Sequence, residues 1–220
     1  MIERVMNKNA SMVLSISIIS FLCLFFFGCS STDTDIKQFG RFVDSPVQGL
    51  YYETETQAGV TNEKGTFTYM PDERISFYIG DVELGSSKAK PLMTPVHLVA
   101  GAEDETHPTV TNLAVLIQSL DEDDLPDNGI TIPSVVRDLF LHRSIDFNLS
   151  YSKFQNQTDI IKIFNAINEK KLFHKGNRTI ISKEVAQEHM RKYMPGRANT
   201  SAENKPTVRA KMYDPPIRFR

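Results

Sequence analysis

Residues 65–85 read GTFTYMPDERISFYIGDVELG, and their alternation decides how the first half of the chain folds. Phe67 and Tyr69 alternate with Thr66 and Thr68, and Ile75, Phe77 and Ile79 repeat the pattern, which is the period of strands with one buried face. Asn62–Gly65 supplies turn chemistry just before the first of them. The same punctuation runs back through VQGLYYETE (47–55) and AGVTNEKGTFTYM (58–70). Together these stretches predict a small antiparallel β unit.

Working toward the carboxy terminus, AKPLMTPVHLVAGAEDETHPT (89–109) carries prolines at 91, 95 and 108 and reads as a connection with short helical pieces at most. Helical spacing follows. Leu113, Leu116, Ile117 and Leu120 fall on one helical face behind Thr109 or Thr111 as a cap. Ile160, Ile163, Phe164 and Ile167 do so behind Thr158, and Ala186, His189, Met190 and Tyr193 behind Ser182. A shorter helix is expected over 133–143, with Pro133 in its first turn. The fold class is therefore α+β: a β-rich unit over 39–100, a helical unit over 101–194 packed on it, and a tail at 195–220. That tail holds four prolines, six Lys or Arg and two acids, and reads as mobile and basic.

Working toward the amino terminus, the composition changes. Arg4 and Lys8 outweigh Glu3, and Met12 to Phe27 is apolar except for Ser15, Ser17 and Ser20. Residues 1–28 read as an export signal, because a spanning helix needs about 20 apolar residues and this run is shorter. The apolar run ends in Gly28-Cys29-Ser30-Ser31, and a small residue followed by Cys at that point resembles the bacterial lipobox. Phe26 and Phe27 stand where Leu and a smaller residue are usual. The resemblance implies that Cys29 becomes a lipidated first residue, carrying palmitate-type acyl chains, with 29–38 as a polar tether. It also implies that Cys23 leaves with the signal, so no intramolecular disulfide is expected. Ser30 after the lipidated Cys goes, in such lipoproteins, with transfer to the outer membrane.

The net charge of −2 offers no general attraction to nucleic acid, which is not expected as a partner. The acidic stretch LDEDDLPDNGI (120–130) makes Asp121, Asp123 and Asp127 candidate ligands for Ca²⁺, a cation that takes oxygen ligands from a sharply turning loop. Leu125, Pro126 and the lack of a Glu at the twelfth position separate it from an EF-hand loop. The plainer reading is an acidic helix end entering an Asp-Asn-Gly turn, so no cofactor is required. The five histidines show neither HExxH nor zinc spacings, and no nucleophile elbow, P-loop or dinucleotide fingerprint occurs. His189, on the apolar side of its helix, reads as a packed residue. In the tail, YDPPIRFR offers Tyr213, Pro215, Pro216, Ile217 and Phe219 as an extended partner-binding segment.

The chain also carries Ser45-Pro46-Val47-x-Gly49, Gly59-Val60-Thr61, Gly65-Thr66-Phe67-Thr68-Tyr69, Phe77-x-Ile79-Gly80, Leu84-Gly85 and Thr94-Pro95. It continues with Asn112-Leu113, Leu116–Asp121 and Asn128-Gly129-Ile130. These residues resemble a module of bacterial surface lipoproteins and adhesin-like proteins, and are similar to the amino-terminal part of lipoproteins of the accessory colonisation factor D type. The resemblance implies a prealbumin-like or carboxypeptidase-regulatory-like β scaffold, and no peptidase region accompanies it. The function expected is a non-catalytic binding or assembly factor at the outer membrane, anchored by lipid and meeting an envelope or surface protein. A surface-exposed adhesin is the first rival, and an envelope hydrolase with a site assembled from distant residues is the second.

Overall fold

The computed structural model describes residues 36–194. Residues 1–28, read above as an export signal, Cys29, residues 195–220 and, among them, Tyr213, Pro215, Pro216, Ile217 and Phe219 lie outside the described residues. The described chain is mixed α+β, with antiparallel sheets and several helices.

Strand β1 (Gln38–Phe42) pairs antiparallel with β5 (Thr66–Tyr69), setting Gly40 opposite Phe67. Its other edge takes β8 (Leu92–Met93) in parallel, a pairing the sequence pattern did not announce. A second sheet runs in the order β4 (Ala58–Val60), β3 (Tyr51–Glu53), β6 (Arg74–Ile79), β7 (Val82–Lys88). A third, two-stranded element joins β2 (Val47–Gln48) to β9 (Ile130–Thr131), again in parallel.

The alternation is realised as burial. Phe67, Tyr69, Ile75, Phe77 and Ile79 all point inward, while Thr66, Thr68, Ser76 and Tyr78 remain partly accessible. The Phe77 ring lies 4.7 Å from that of Phe42 and meets Phe67 edge-on at 5.3 Å, so the two larger sheets share an aromatic core. Aromatic pairs in such tilted geometry add roughly 0.5–1.5 kcal/mol each beyond the area they bury. Asn62 forms the expected turn: its Oδ1 accepts the N–H groups of Lys64 and Thr66, each at 3.0 Å.

Helix α1 (Pro108–Ser119) is buried on every side, with Val110 to Ser119 all inaccessible. Neither Thr109 nor Thr111 caps it. His107 occupies the cap position and Pro108 opens the first turn, where its missing N–H costs nothing and its fixed φ suits the helix. Thr111 instead donates to the Glu105 carbonyl at 2.8 Å. The short helix α2 (Ser134–Arg137) continues as a 3₁₀ turn over Asp138–Phe140, with Pro133 capping it from outside. After α3 (Tyr151–Gln155), α4 (Thr158–Glu169) buries Ile160, Ile163, Phe164 and Ile167 as spaced. Helix α5 (Lys183–Tyr193) begins behind Ser182, whose Oγ accepts the Val185 N–H at 3.3 Å.

One apolar core joins the strands to the helices. Leu113, Leu116 and Ile117 of α1 belong to the same cluster as Phe42, Phe77, Ile130, Val136 and Phe140. Arg137 of α2 donates to the Gly49 carbonyl at 2.9 Å. The β6–β7 hairpin turns at Gly80-Asp81, where Gly80 has φ +55°, and a Cβ there would stand 2.7 Å from the Arg137 carbonyl oxygen and 2.8 Å from the Phe140 Cβ. Gly80 thus combines a left-handed backbone with a close approach of α2. Gly80→Ala is expected to lower stability by roughly 1–3 kcal/mol, read as a lower urea midpoint with an unchanged m-value.

Candidate functional site

The most heavily constrained polar site begins where β1 ends. Val43 bridges Pro46 across a two-residue turn made of Asp44 and Ser45, and Ser45 takes φ +55°. The turn aims Asp44 into the core, where it is 1 % exposed. Gln118 Nε2, from the last turns of α1, lies 2.9 and 3.1 Å from the two Asp44 carboxylate oxygens. The same nitrogen reaches the Ala186 carbonyl of α5 at 3.1 Å, so its two hydrogens serve both partners. His189 Nδ1 sits 3.1 Å from Asp44 Oδ1 and donates when Asp44 is ionised. Burial pushes the Asp44 carboxyl above its ordinary value, against the downward pull of His189 and Gln118.

His189 then looks outward. Its Nε2 is 3.5 Å from Asp127 Oδ1, its ring centroid lies 5.0 Å from that of Tyr193 with the planes tilted by 39°, and Tyr193 donates its hydroxyl to the Asp127 carbonyl at 3.0 Å. Lys192 Nζ donates to the Asp127 carboxylate at 3.1 and 3.2 Å. Ser45 completes the attachment by donating Oγ to the Pro126 carbonyl at 2.6 Å, while Ile130 N–H donates to the Pro46 carbonyl at 2.9 Å. Asp44 therefore binds together a strand end, two helices and the acidic loop.

The three aspartates of that loop are each engaged by protein donors, and Asp121 and Asp123 share the Leu125 N–H. Asp121 accepts the Leu125 and Thr131 N–H groups, each at 2.9 Å. Asp123 accepts from Leu125 N–H at 3.0 Å and from Asn128 Nδ2 at 2.8 Å. Asp127 faces Lys192 and His189. Asp124 pairs with buried Arg178, which also lies over the Phe173 ring and donates to the Asp121 carbonyl at 2.8 Å. Among the described residues, no group of three or more His, Cys, Asp or Glu side chains is arranged to hold a metal ion. Burial raises the Asp121 carboxyl to about 6, and the two N–H bonds pull it the other way.

A cleft of about 590 Å³ opens elsewhere. One wall is Glu83–Ser86 of β7, the other is Ile145–Asn148, and His107 and Thr109 close the end at the start of α1. Four consecutive strand residues line it, whereas one face of a strand would contribute alternate residues. The cleft therefore lies off the edge of β7, which pairs only with β6 among the described strands. Two carboxylates, Glu83 and Asp146, border it, and no Lys or Arg does.

Sequence reading placed His189 in the core but missed Asp44, because an aspartate in a turn next to Ser-Pro looks solvated. The remaining histidines do not converge: His97 Nδ1 meets Thr94 Oγ1 at 2.9 Å, and His142 faces Asp81 at 3.5 Å. Compared with family models, curated proteins and solved structures, the chain matches none.

Asp44→Ala leaves the Gln118 amide and His189 ring buried without their acceptor, and unfolding free energy is expected to fall by roughly 3–5 kcal/mol. Asp121 gives a pH signature. Its folded value of about 6 lies above the ordinary 3.8, so the native state binds more protons between those limits. Stability from this group is greatest below about pH 4 and declines as pH rises to 6, by on the order of 3 kcal/mol. Denaturant melts from pH 4 to 7 should show this downward contribution in the wild type and its loss in Asp121→Asn.

Proposed function

We propose that this chain is a bacterial envelope lipoprotein acting as a non-catalytic binding or assembly factor at the outer membrane. The observation that carries the reading is the apolar run ending in Gly28-Cys29 with the first strand starting at Gln38. Eight residues between them extend at most about 30 Å. Lipid on Cys29 would hold the folded body within that distance of the bilayer surface, and several acyl chains anchor stably where one does so only marginally.

The β part is read as a prealbumin-like or carboxypeptidase-regulatory-like scaffold, in keeping with the module of surface lipoproteins that its turn residues resemble. Two small sheets closing over Phe42, Phe67 and Phe77 support that reading. Binding is favoured over catalysis because the carboxyls raised by burial, Asp44 and Asp121, are spent on internal hydrogen bonds. The open cleft instead offers a strand edge. The rival adhesin reading draws on an exposed row across the second sheet, where Tyr51 sits between Val60 and Tyr78, the two tyrosine rings 5.9 Å apart. Protease treatment of intact cells separates the two: an adhesin is cut, and a periplasm-facing factor is protected.

The intact mass of protein taken from a membrane fraction is expected to equal residues 29–220 plus acyl groups. Cys29→Ala is expected to leave an unlipidated chain. A wild-type mass without lipid removes the anchor and redirects the reading to a soluble exported binding protein.

A further inference from the structure

The outer face of the second sheet is organised in rows. Val60, Tyr51, Tyr78 and Glu83 lie opposite one another across β4, β3, β6 and β7. Ala58, Glu53, Ser76 and Ser86 form the neighbouring row in the same order. Tyr52, Phe77 and Ile79 alternate with these residues and are buried, so the two rows share the solvent side. Tyr51 is 38 % and Val60 48 % exposed, and the Tyr51 and Tyr78 rings stand 5.9 Å apart with their planes tilted by 50°. Single exposed apolar side chains are ordinary, whereas a continuous row of them marks a surface that a partner covers.

The charge left free around the rings has one sign. Glu53 follows Tyr51 by two residues on β3, and Glu83 is the cross-strand neighbour of Tyr78. The two carboxylates therefore flank the rings, their Cα atoms about 12 Å apart by strand spacing. Neither forms an ion pair among the described residues. The two cations of this sheet sit together beyond the second row and are engaged, Arg74 Nη2 donating to Ser86 Oγ at 3.1 Å and Lys88 Nζ to Asp72 at 2.6 Å. A guanidinium suits both parts of the surface: its flat face stacks on tyrosine, and its fork of N–H groups meets a carboxylate in two parallel bonds. An ammonium offers the charge without the plane or the fork.

We propose that this face docks an arginine-bearing segment of a partner protein, with guanidinium groups stacked on Tyr51 and Tyr78 and paired with Glu53 and Glu83. This rests on the binding reading above and names the chemistry of its partner. It does not depend on the anchor at Cys29.

Fluorescence anisotropy of labelled tetra-arginine with the full-length protein in neutral detergent tests this, beside tetra-lysine of equal charge. Tetra-arginine is expected to bind about fivefold more tightly or better. Tyr51→Thr with Tyr78→Thr, which keeps residues suited to strands, is expected to abolish that preference. Glu53→Gln with Glu83→Gln is expected to weaken both peptides by about tenfold. Glu169→Gln with Glu188→Gln removes the same charge from exposed helix positions and should change neither. Urea midpoints establish that each variant is folded. No binding, equal affinity for the two peptides, or a preference that survives in the tyrosine variant overturns the proposal. A wild-type dimer that the tyrosine variant dissociates, with no peptide bound, overturns it in favour of a second copy. A lipid-free mass with the arginine preference intact removes the envelope reading and leaves this one standing.

Discussion

A carboxylate withdrawn from water must be met by donors, and Asp44 is the point at which this chain accepts that requirement. Its donors come from Gln118 and from His189, so the turn after β1 can be satisfied only when α1 and α5 are both in place. Ser45 and Pro46, the neighbouring residues, hold the acidic loop and β9. Remove the carboxylate and the apolar core still has reason to collapse, but the turn after β1 loses its ties to α1 and α5. Much of the cost of truncating Asp44 is that its two donors, the Gln118 amide and the His189 ring, are left buried and unpaired.

What could be read from the sequence follows from periodicity. Strands β5 and β6 bury one face each, so Phe67, Ile75 and Phe77 announce themselves, and α4 shows its apolar stripe for the same reason. Helix α1 is enclosed all round, so a single stripe understates it, and a threonine cap was expected where proline does the work. Two-residue strands have no period to detect. Strands β2, β8 and β9 exist because the backbone groups of loops packed side by side must pair, which is a tertiary fact. The acidic loop was visible as charge but not as architecture: Asp121 holds two N–H groups internally, whereas Asp127 faces a lysine and a histidine from α5. The Asp44–His189 contact spans 145 residues of chain and left no local trace on either side.

Among the described residues, the acids raised by burial lie apart from the cleft beside β7. The acids that burial raises lie within hydrogen-bonded turns, and the accessible concavity is bordered by backbone and by carboxylates at its rim. Recognition by main-chain pairing asks for little side-chain identity in a partner beyond alternation and charge.

The parallel pairing of β2 with β9 also bears on when the fold can form. A chain emerges from the ribosome amino terminus first, so residues 47–48 are present long before 130–131, and Asp44 long before His189. The amino-terminal sheets can associate early, but the turn at Asp44 stays open to water until the last helix arrives. High sequence separation of the contacts that complete a core slows its closure. This topology delays the final locking step until nearly the whole described body, from β1 to α5, has been synthesised.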